Sequence, residues 1–301
     1  FACSSSPLYD EANRATEANQ IDFASRFQEY GVEYLWIDAG WFEGGWPNGV
    51  GNWSSRKDGF PRGLRPVSDA LNKLGMKLIL WFEPERVLRG SWLDLNRPEW
   101  IIRLRDNPVG LLDLGNEDAR RWITDHISNM IEGEGISVYR QDFNMDPLLY
   151  WRSADGLERQ GMAEIRHIEG LYAFWDELLR RSPGLIIDNC ASGGRRIDME
   201  TASRSVFLWR SDYQYYEPNG YQSQTYGISL YLPSTGTGNA YPDIYSFRSA
   251  INNGIVIGWN PYQPDLQPAW NITPPEELGK PFPSERARQL ADEFKRIRHF
   301  F

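Results

Sequence analysis

Three histidines, two cysteines and no cationic run leave this 301-residue chain without the parts for several common chemistries. His126, His167 and His299 show no His-x-x-x-His or similar ligand spacing, which argues against a zinc hydrolase, and neither a metal nor another cofactor is expected. Cys3 and Cys190 lie 187 positions apart, so they form neither a ligand cluster nor a disulfide scaffold. Cys190 has no evident His partner and no Gly-x-Ser-x-Gly elbow occurs, which disfavours acyl transfer by Cys or Ser. A net charge of -9 without a Lys/Arg-rich stretch argues against nucleic acid and anionic membranes as partners, because both require a cationic face. Long apolar runs are also missing: Leu78-Ile79-Leu80-Trp81-Phe82 falls far short of the roughly 20 residues that cross a bilayer. A soluble protein is expected, secreted or cytoplasmic. The chain begins at Phe1 with no Met and no leader, as an excised or processed piece would.

What is abundant is aromatic. Thirteen Trp, 15 Tyr and 14 Phe exceed what core packing usually requires, and rings of this kind stack on the apolar C–H faces of sugars while their polar edges hydrogen-bond. Short β-type runs recur at Phe1 to Ser4, Tyr34 to Ala39, Lys77 to Phe82, Ser137 to Phe143, Leu185 to Cys190, Val206 to Asp212, Leu230 to Thr235 and Gly254 to Trp259. Helical patterns fall between them at Ala15 to Tyr30, Val67 to Leu74, Asp118 to Ile131, Ile165 to Arg181 and Gln222 to Tyr231. The last segment, Glu285 to Phe301, reads as an amphipathic closing helix with Leu290, Phe294 and Ile297 on one face. This alternation predicts an α/β fold, a (β/α)8 TIM barrel spanning residues 1–301 as a single catalytic domain. An open doubly wound sheet fits less well, because no Gly-rich phosphate fingerprint follows the first strand. No residues remain for accessory β domains, which a larger parent chain would carry on either side.

Barrel chemistry sits at the C-terminal strand ends. Four of those ends carry acids: Asp38, Glu83 with Glu85, Asp142 and Asp212, and Trp stands close to three of them. Any one such Asp is more often a cap or an ion-pair partner. Several on one rim suit glycoside hydrolysis, in which one carboxylate attacks or stabilises the sugar cation and a second protonates the leaving oxygen. Glu83 and Glu85 are expected to be structural.

Five motifs occur in one order: Trp36-Ile37-Asp38-Ala39-Gly40-Trp41-Phe42, Leu80-Trp81-Phe82-Glu83-Pro84-Glu85, Leu112-Asp113-Leu114-Gly115, Arg140-Gln141-Asp142-Phe143-Asn144 and Cys190-Ala191-Ser192-Gly193-Gly194-Arg195-Arg196-Ile197-Asp198, and Trp209-Arg210-Ser211-Asp212 follows them. Together, over about residues 20 to 215, the set resembles glycoside hydrolase family 36, the melibiase-type α-galactosidases. The resemblance implies Asp142 as nucleophile, in the place of the family's Lys-Trp-Asp-Met-Asn motif. It implies Asp212 as acid/base, 22 residues after Cys190 as the family spaces them. It also implies substrate contacts at Asp38, Trp81, Arg140, Cys190, Gly193 and Trp209. Three positions depart from the family pattern: Ala39 replaces the second acid of an Asp-Asp pair, Arg140 replaces Lys, and Gln141 replaces Trp. Arg's planar fork is no simple substitute for a point-like ammonium. For Cys190, a small buried hydrophobe is as good a reading as a sugar contact.

The expected reaction is double displacement on an oligosaccharide or glycan bearing a terminal α-linked galactose-type sugar, in a possible homo-oligomer. Arg140 should favour the charged form of Asp142. Burial beside Trp209 and the charge of Asp142 should raise the pKa of Asp212, while Arg210 would oppose that rise. α-N-Acetylgalactosaminidase, α-galactosaminidase and β-L-arabinopyranosidase are the alternatives on the same scaffold. A non-catalytic glycan-binding barrel is the alternative of a different class.

Overall fold

The computed structural model describes residues 1–8, 14–206, 208–212, 218–232, 235–266 and 273–301. Eight parallel strands, β1 (Ala2–Ser4), β2 (Tyr34–Ile37), β3 (Lys77–Phe82), β4 (Ile136–Gln141), β5 (Ile186–Asn189), β6 (Leu208–Trp209), β7 (Thr235–Asn239) and β8 (Gly254–Ile257), run side by side in the order β5-β4-β3-β2-β1-β8-β7-β6. The two ends of that order meet. Asp188 bridges Val206 in parallel, and the Val206 N–H donates to the Ile187 carbonyl at 2.9 Å. The sheet is thereby closed into the expected (β/α)8 barrel.

Strand periodicity sorts the side chains into two layers. Outward positions such as Leu35, Ile37, Leu78, Leu80, Phe82, Tyr139, Ile187, Ile255 and Ile257 join the main core beneath the helices. Inward positions Ala2, Trp36, Ile79 and Val138 form a smaller cluster with Cys190 and Trp209 in the barrel interior. Each strand is followed by a helix: α1 (Glu17–Phe27), α2 (Arg65–Lys73), α3 (Glu117–Glu134), α4 (Met162–Arg181), α5 (Met199–Arg204), α6 (Pro218–Ile228), α7 (Ile244–Ala250) and α8 (Ser284–Ile297). Local chemistry sets their ends. The Asn116 side chain accepts the N–H groups of Asp118 and Ala119 at the start of α3, and Gly135 ends that helix in the left-handed region at φ 71°. Helix α8 closes the ring by burying Leu290 and Phe294, the latter against Phe1 at 5.2 Å between ring centroids. Burial of two such side chains contributes about 1.5–3 kcal/mol each. Ile297 is only half-buried, because the helix gives way to a 3-10 turn just beyond it.

Two features differ from the expectation. The seventh strand is not Leu230 to Thr235. Leu230 and Tyr231 are exposed in the turn that ends α6, residues 233–234 lie outside the described residues, and the strand is Thr235–Asn239. Its sequence, Thr-Gly-Thr-Gly-Asn, has no apolar side chain, so hydrophobic patterning could not find it. A three-stranded antiparallel sheet was also not foreseen. Arg86–Leu88, Val109–Leu112 and Ile101–Arg103, paired in that order, stand between β3 and α3. Leu111 of this sheet packs with Phe143, Tyr150, Trp151 and Ala191, so the insertion walls one side of the rim where β4 ends. Among the described residues, no helix is long and apolar enough to cross a membrane.

Candidate active site

The inward row of each strand continues past its last hydrogen-bonded residue, and the next inward position carries the polar group. Thus Trp36 leads to Asp38, Trp81 to Glu83, Arg140 to Asp142 and Asp188 to Cys190, each two residues on. Asp142 is buried and accepts four hydrogen bonds. Trp81 Nε1 and Asn144 Nδ2 reach Oδ2 at 3.1 and 2.9 Å, and the N–H groups of Phe143 and Ser192 reach Oδ1 at 2.7 and 3.0 Å. Burial works against its charge. The Arg140 guanidinium, the Asn144 amide and the Ser192 N–H outweigh burial and hold the carboxyl below its ordinary value, so Asp142 is ionised at neutral pH.

Arg140 lies flat in the interior, its guanidinium 4.0 Å from the Trp36 ring centre and 4.8 Å from that of Trp209, and paired to Asp188 Oδ2 at 2.8 Å. Trp209 meets Trp36 edge-on at 5.2 Å, and its Nε1 donates to Asp212 Oδ1 at 2.9 Å. Asp212 belongs to an exposed residue at the rim, but its carboxyl is turned to Trp209. Desolvation and the charge of Asp142 raise its pKa above the ordinary value, against the Trp209 hydrogen bond, Arg140 and Arg195. Arg210 is not among the opposing charges. Its Nη2 donates to Thr225 Oγ1 of α6 at 2.6 Å, which directs it away from the carboxylates.

Asp38 joins the same group of charges. Burial raises it to about 6 against the pull of Arg140 and the Ala39 N–H, with Asp142 and Asp212 adding to the rise. Cys190 is buried in the interior cluster, where burial and the Asp142 charge keep it a thiol. Gly193 has φ +88°, and a Cβ there would lie 2.9 Å from Ser211 Cα and 3.2 Å from Asp212 N. Only glycine lets the loop after β5 abut the backbone that carries Asp212. Asp38, Trp81, Arg140, Asp142, Cys190, Gly193, Trp209 and Asp212 therefore converge on one end of the barrel. Among the described residues, no group of His, Cys, Asp or Glu is arranged to hold a metal ion.

A melibiase family model matches residues 13–241, a span that includes Asp38, Asp142, Asp212 and six of the eight barrel strands. The chain belongs to the melibiase family. Among its relatives, α-galactosidase AgaA of Geobacillus stearothermophilus is 29% identical over 230 residues, 74% of this chain and 31% of that protein. The chain thus spans less than a third of the length of that curated relative. A solved variant of AgaA in complex with stachyose superimposes with a TM-score of 0.82 at 22% identity, covering 99% of this chain and 42% of that one. The α-galactosidase of Lactobacillus brevis superimposes with 0.83 at 22%, covering 100% and 41%. At such identities these structures speak for the fold.

Within this melibiase barrel, the three departures from the family pattern do not share a location. Gln141 is on the outward row, where its Oε1 accepts Tyr139 OH at 2.9 Å and Trp175 Nε1 at 2.7 Å and its Nε2 donates to Glu85 Oε2 at 2.8 Å. It ties β4 to α4 and to the segment after β3. Ala39 is buried with the outer core around Trp41 and Phe42. Arg140 alone of the three faces the interior.

The acids after β3 also divide. Glu85 is structural as expected, bonded to His167 at 2.9 Å and to Arg196 at 2.6 Å. Burial would raise its pKa, but Arg196 and His167 prevail and bring it to about 2. A carboxylate depressed on folding stabilises the protein above its unfolded pKa and loses that contribution as pH falls toward the folded value. For Glu85 this is on the order of 3 kcal/mol, lost between about pH 5 and pH 2. Glu85→Gln is expected to lower Tm at neutral pH and to flatten the Tm–pH curve in that window. A curve parallel to that of wild type would contradict this account. Glu83 lies closer to the chemistry than expected: Oε1 accepts the Asn144 N–H, Oε2 accepts Trp46 Nε1 at 3.0 Å, and burial beside Asp142 raises its pKa to about 7.

Asn144, Ser192 and Asp188 were not foreseen as site residues. For Asn144 and Asp188 the signal was present, since both continue the inward row of β4 and β5. Ser192 acts through its backbone N–H at φ +48°, and no residue pattern announces that.

Proposed function

We propose that this barrel is the catalytic unit of a retaining α-galactosidase that releases terminal α-linked galactose from oligosaccharides by double displacement. The observation that carries the proposal is the opposite charge preference of two carboxyl groups on one rim: Asp142, with four hydrogen-bond donors, is held ionised, and Asp212 is pushed toward its neutral form. In the first step an Asp142 oxygen bonds to the anomeric carbon as the bond to the leaving oxygen breaks, and the Asp212 proton passes to that oxygen. In the second step Asp212, now a base, takes a proton from water as the water oxygen displaces Asp142 from the same carbon. Arg140, Asn144 and Ser192 keep the nucleophile charged, Trp209 and Gly193 set the position of the acid, and Asp38 and Trp81 line the space for the sugar. The sequence relatives are α-galactosidases by name, and the AgaA variant holds stachyose, which agrees with this substrate class.

The test is a panel of chromogenic glycosides: α-galactoside, α-N-acetylgalactosaminide, α-galactosaminide, α-glucoside and β-L-arabinopyranoside, with the Asp142→Asn protein as blank. Turnover of the α-galactoside by wild type and not by the blank is the expected result. Preference for another glycone would reassign the substrate. Sugar binding by the folded full chain with no turnover of any member would make it a glycan-binding barrel.

A further inference from the structure

Trp46, on the loop after β2, is not used by the chemistry described above. It is 42% exposed, whereas Trp81 beside Asp142 is 2% exposed. Its loop is tightly folded: Gly44 and Gly45 take positive φ values of 81° and 57°, and a Cβ on Gly49 would lie 2.0 Å from the Glu43 carbonyl oxygen. The ring itself is held at its polar edge and over one face. Nε1 donates to Glu83 Oε2 at 3.0 Å, and the Arg86 guanidinium sits over the ring 5.5 Å from its centre. The other oxygen of Glu83 takes the Asn144 N–H, and the Asn144 side chain donates to Asp142 Oδ2 at 2.9 Å. One buried carboxylate thus positions both an exposed indole at the rim and the residue that braces the candidate nucleophile.

An indole held at its polar edge and left half-exposed offers a surface that a pyranose can cover with its C–H face. Asp142, Trp81 and Cys190 lie deep and are buried, so a terminal sugar that reaches Asp142 places its next sugar unit at the rim. We propose that Trp46 is the platform for the sugar ring on the leaving-group side of the scissile bond, and that it selects oligosaccharide leaving groups over small ones. This rests on the galactosidase reading of the same site.

The experiment compares kcat/KM of the full chain for raffinose and for α-galactosyl fluoride, whose leaving group has no ring to stack. Trp46→Ala is expected to lose about tenfold more on raffinose than on the fluoride, chiefly through KM, and Trp46→Phe to recover most of that difference. Equal losses on both substrates would overturn the proposal, since a structural role affects both alike. A second measurement is independent of turnover: raffinose and galactose are titrated into Asp142→Asn protein with and without Trp46→Ala. Selective weakening of raffinose supports the platform even where wild type hydrolyses nothing, a result that would defeat the galactosidase reading alone. Equal weakening of the two sugars, or binding of neither, overturns the platform.

Discussion

Asp142→Gly is expected to lower turnover of an α-galactoside on the order of 10⁴-fold or more, the scale of loss when an attacking group is deleted. The four donors and Arg140 that now stabilise the carboxylate remain in place, so the variant keeps an anion-seeking cavity where the nucleophile stood. Azide added at high concentration should occupy it and attack the anomeric carbon from the face Asp142 uses. The product expected from an activated α-galactoside is therefore a galactosyl azide of β configuration, read by NMR. An azide of α configuration would mean attack from the other face, and unimpaired activity of the variant would remove Asp142 from the reaction. Either result defeats the double-displacement reading.

Asp212→Asn is expected to show a loss that depends on the leaving group. General acid catalysis contributes about 10²- to 10⁴-fold, and all of it is needed where the departing oxygen is poorly stabilised, as in an oligosaccharide. With α-galactosyl fluoride the first step needs little protonation, so the variant should form the glycosyl ester and then stall, because no base remains to activate water. Mass spectrometry should then find the galactosyl adduct on Asp142. The pH profile adds a second readout. The proposed mechanism requires Asp142 charged and Asp212 protonated, so activity is expected to fall at low pH through the depressed pKa of Asp142 and at high pH through the raised pKa of Asp212. Asp212→Asn should abolish the alkaline limb and leave the acidic one. A variant that slows the fluoride and raffinose equally, with both limbs intact, would show that Asp212 is not the acid.

The barrel is largely legible in the sequence because its signal is local. Tyr34 to Ile37 and Lys77 to Phe82 are runs buried on two faces, one against helices and one against the barrel interior, and are apolar or aromatic but for Lys77, while Ile136 to Gln141 keeps Ile136, Val138 and Tyr139 among its polar residues. Thr235–Asn239 carries no such mark; its burial comes from small residues and from Asn239, whose Oδ1 accepts Trp259 Nε1 at 2.6 Å. The strand-end acids were legible for the same local reason, with a period of two running from Trp36 to Asp38 and from Arg140 to Asp142. The role of Gln141 was not legible, because its side chain belongs to the opposite row and its partners Glu85 and Trp175 come from segments 56 and 34 positions away.

The amino-acid sequence by itself determined the alternation of strands and helices apart from Thr235–Asn239 and the three-stranded sheet, the resemblance to the family, and which acids stand at the strand ends, since each rests on patterns within short segments. The pull of Arg140 on Asp142 was legible two positions away, and tertiary structure supplied the other partners that set the charges of those acids. Asp142 takes hydrogen bonds from Trp81, 61 positions before it, and from the Ser192 backbone, 50 positions after it, and the latter helps to hold it charged. Glu85 and Glu83, two residues apart, end near 2 and near 7 because Arg196 and His167 overcome burial at the one, while burial and then the charge of Asp142 raise the other. Desolvation and Coulomb terms act through space, and the residues that supply them become neighbours only when the barrel closes.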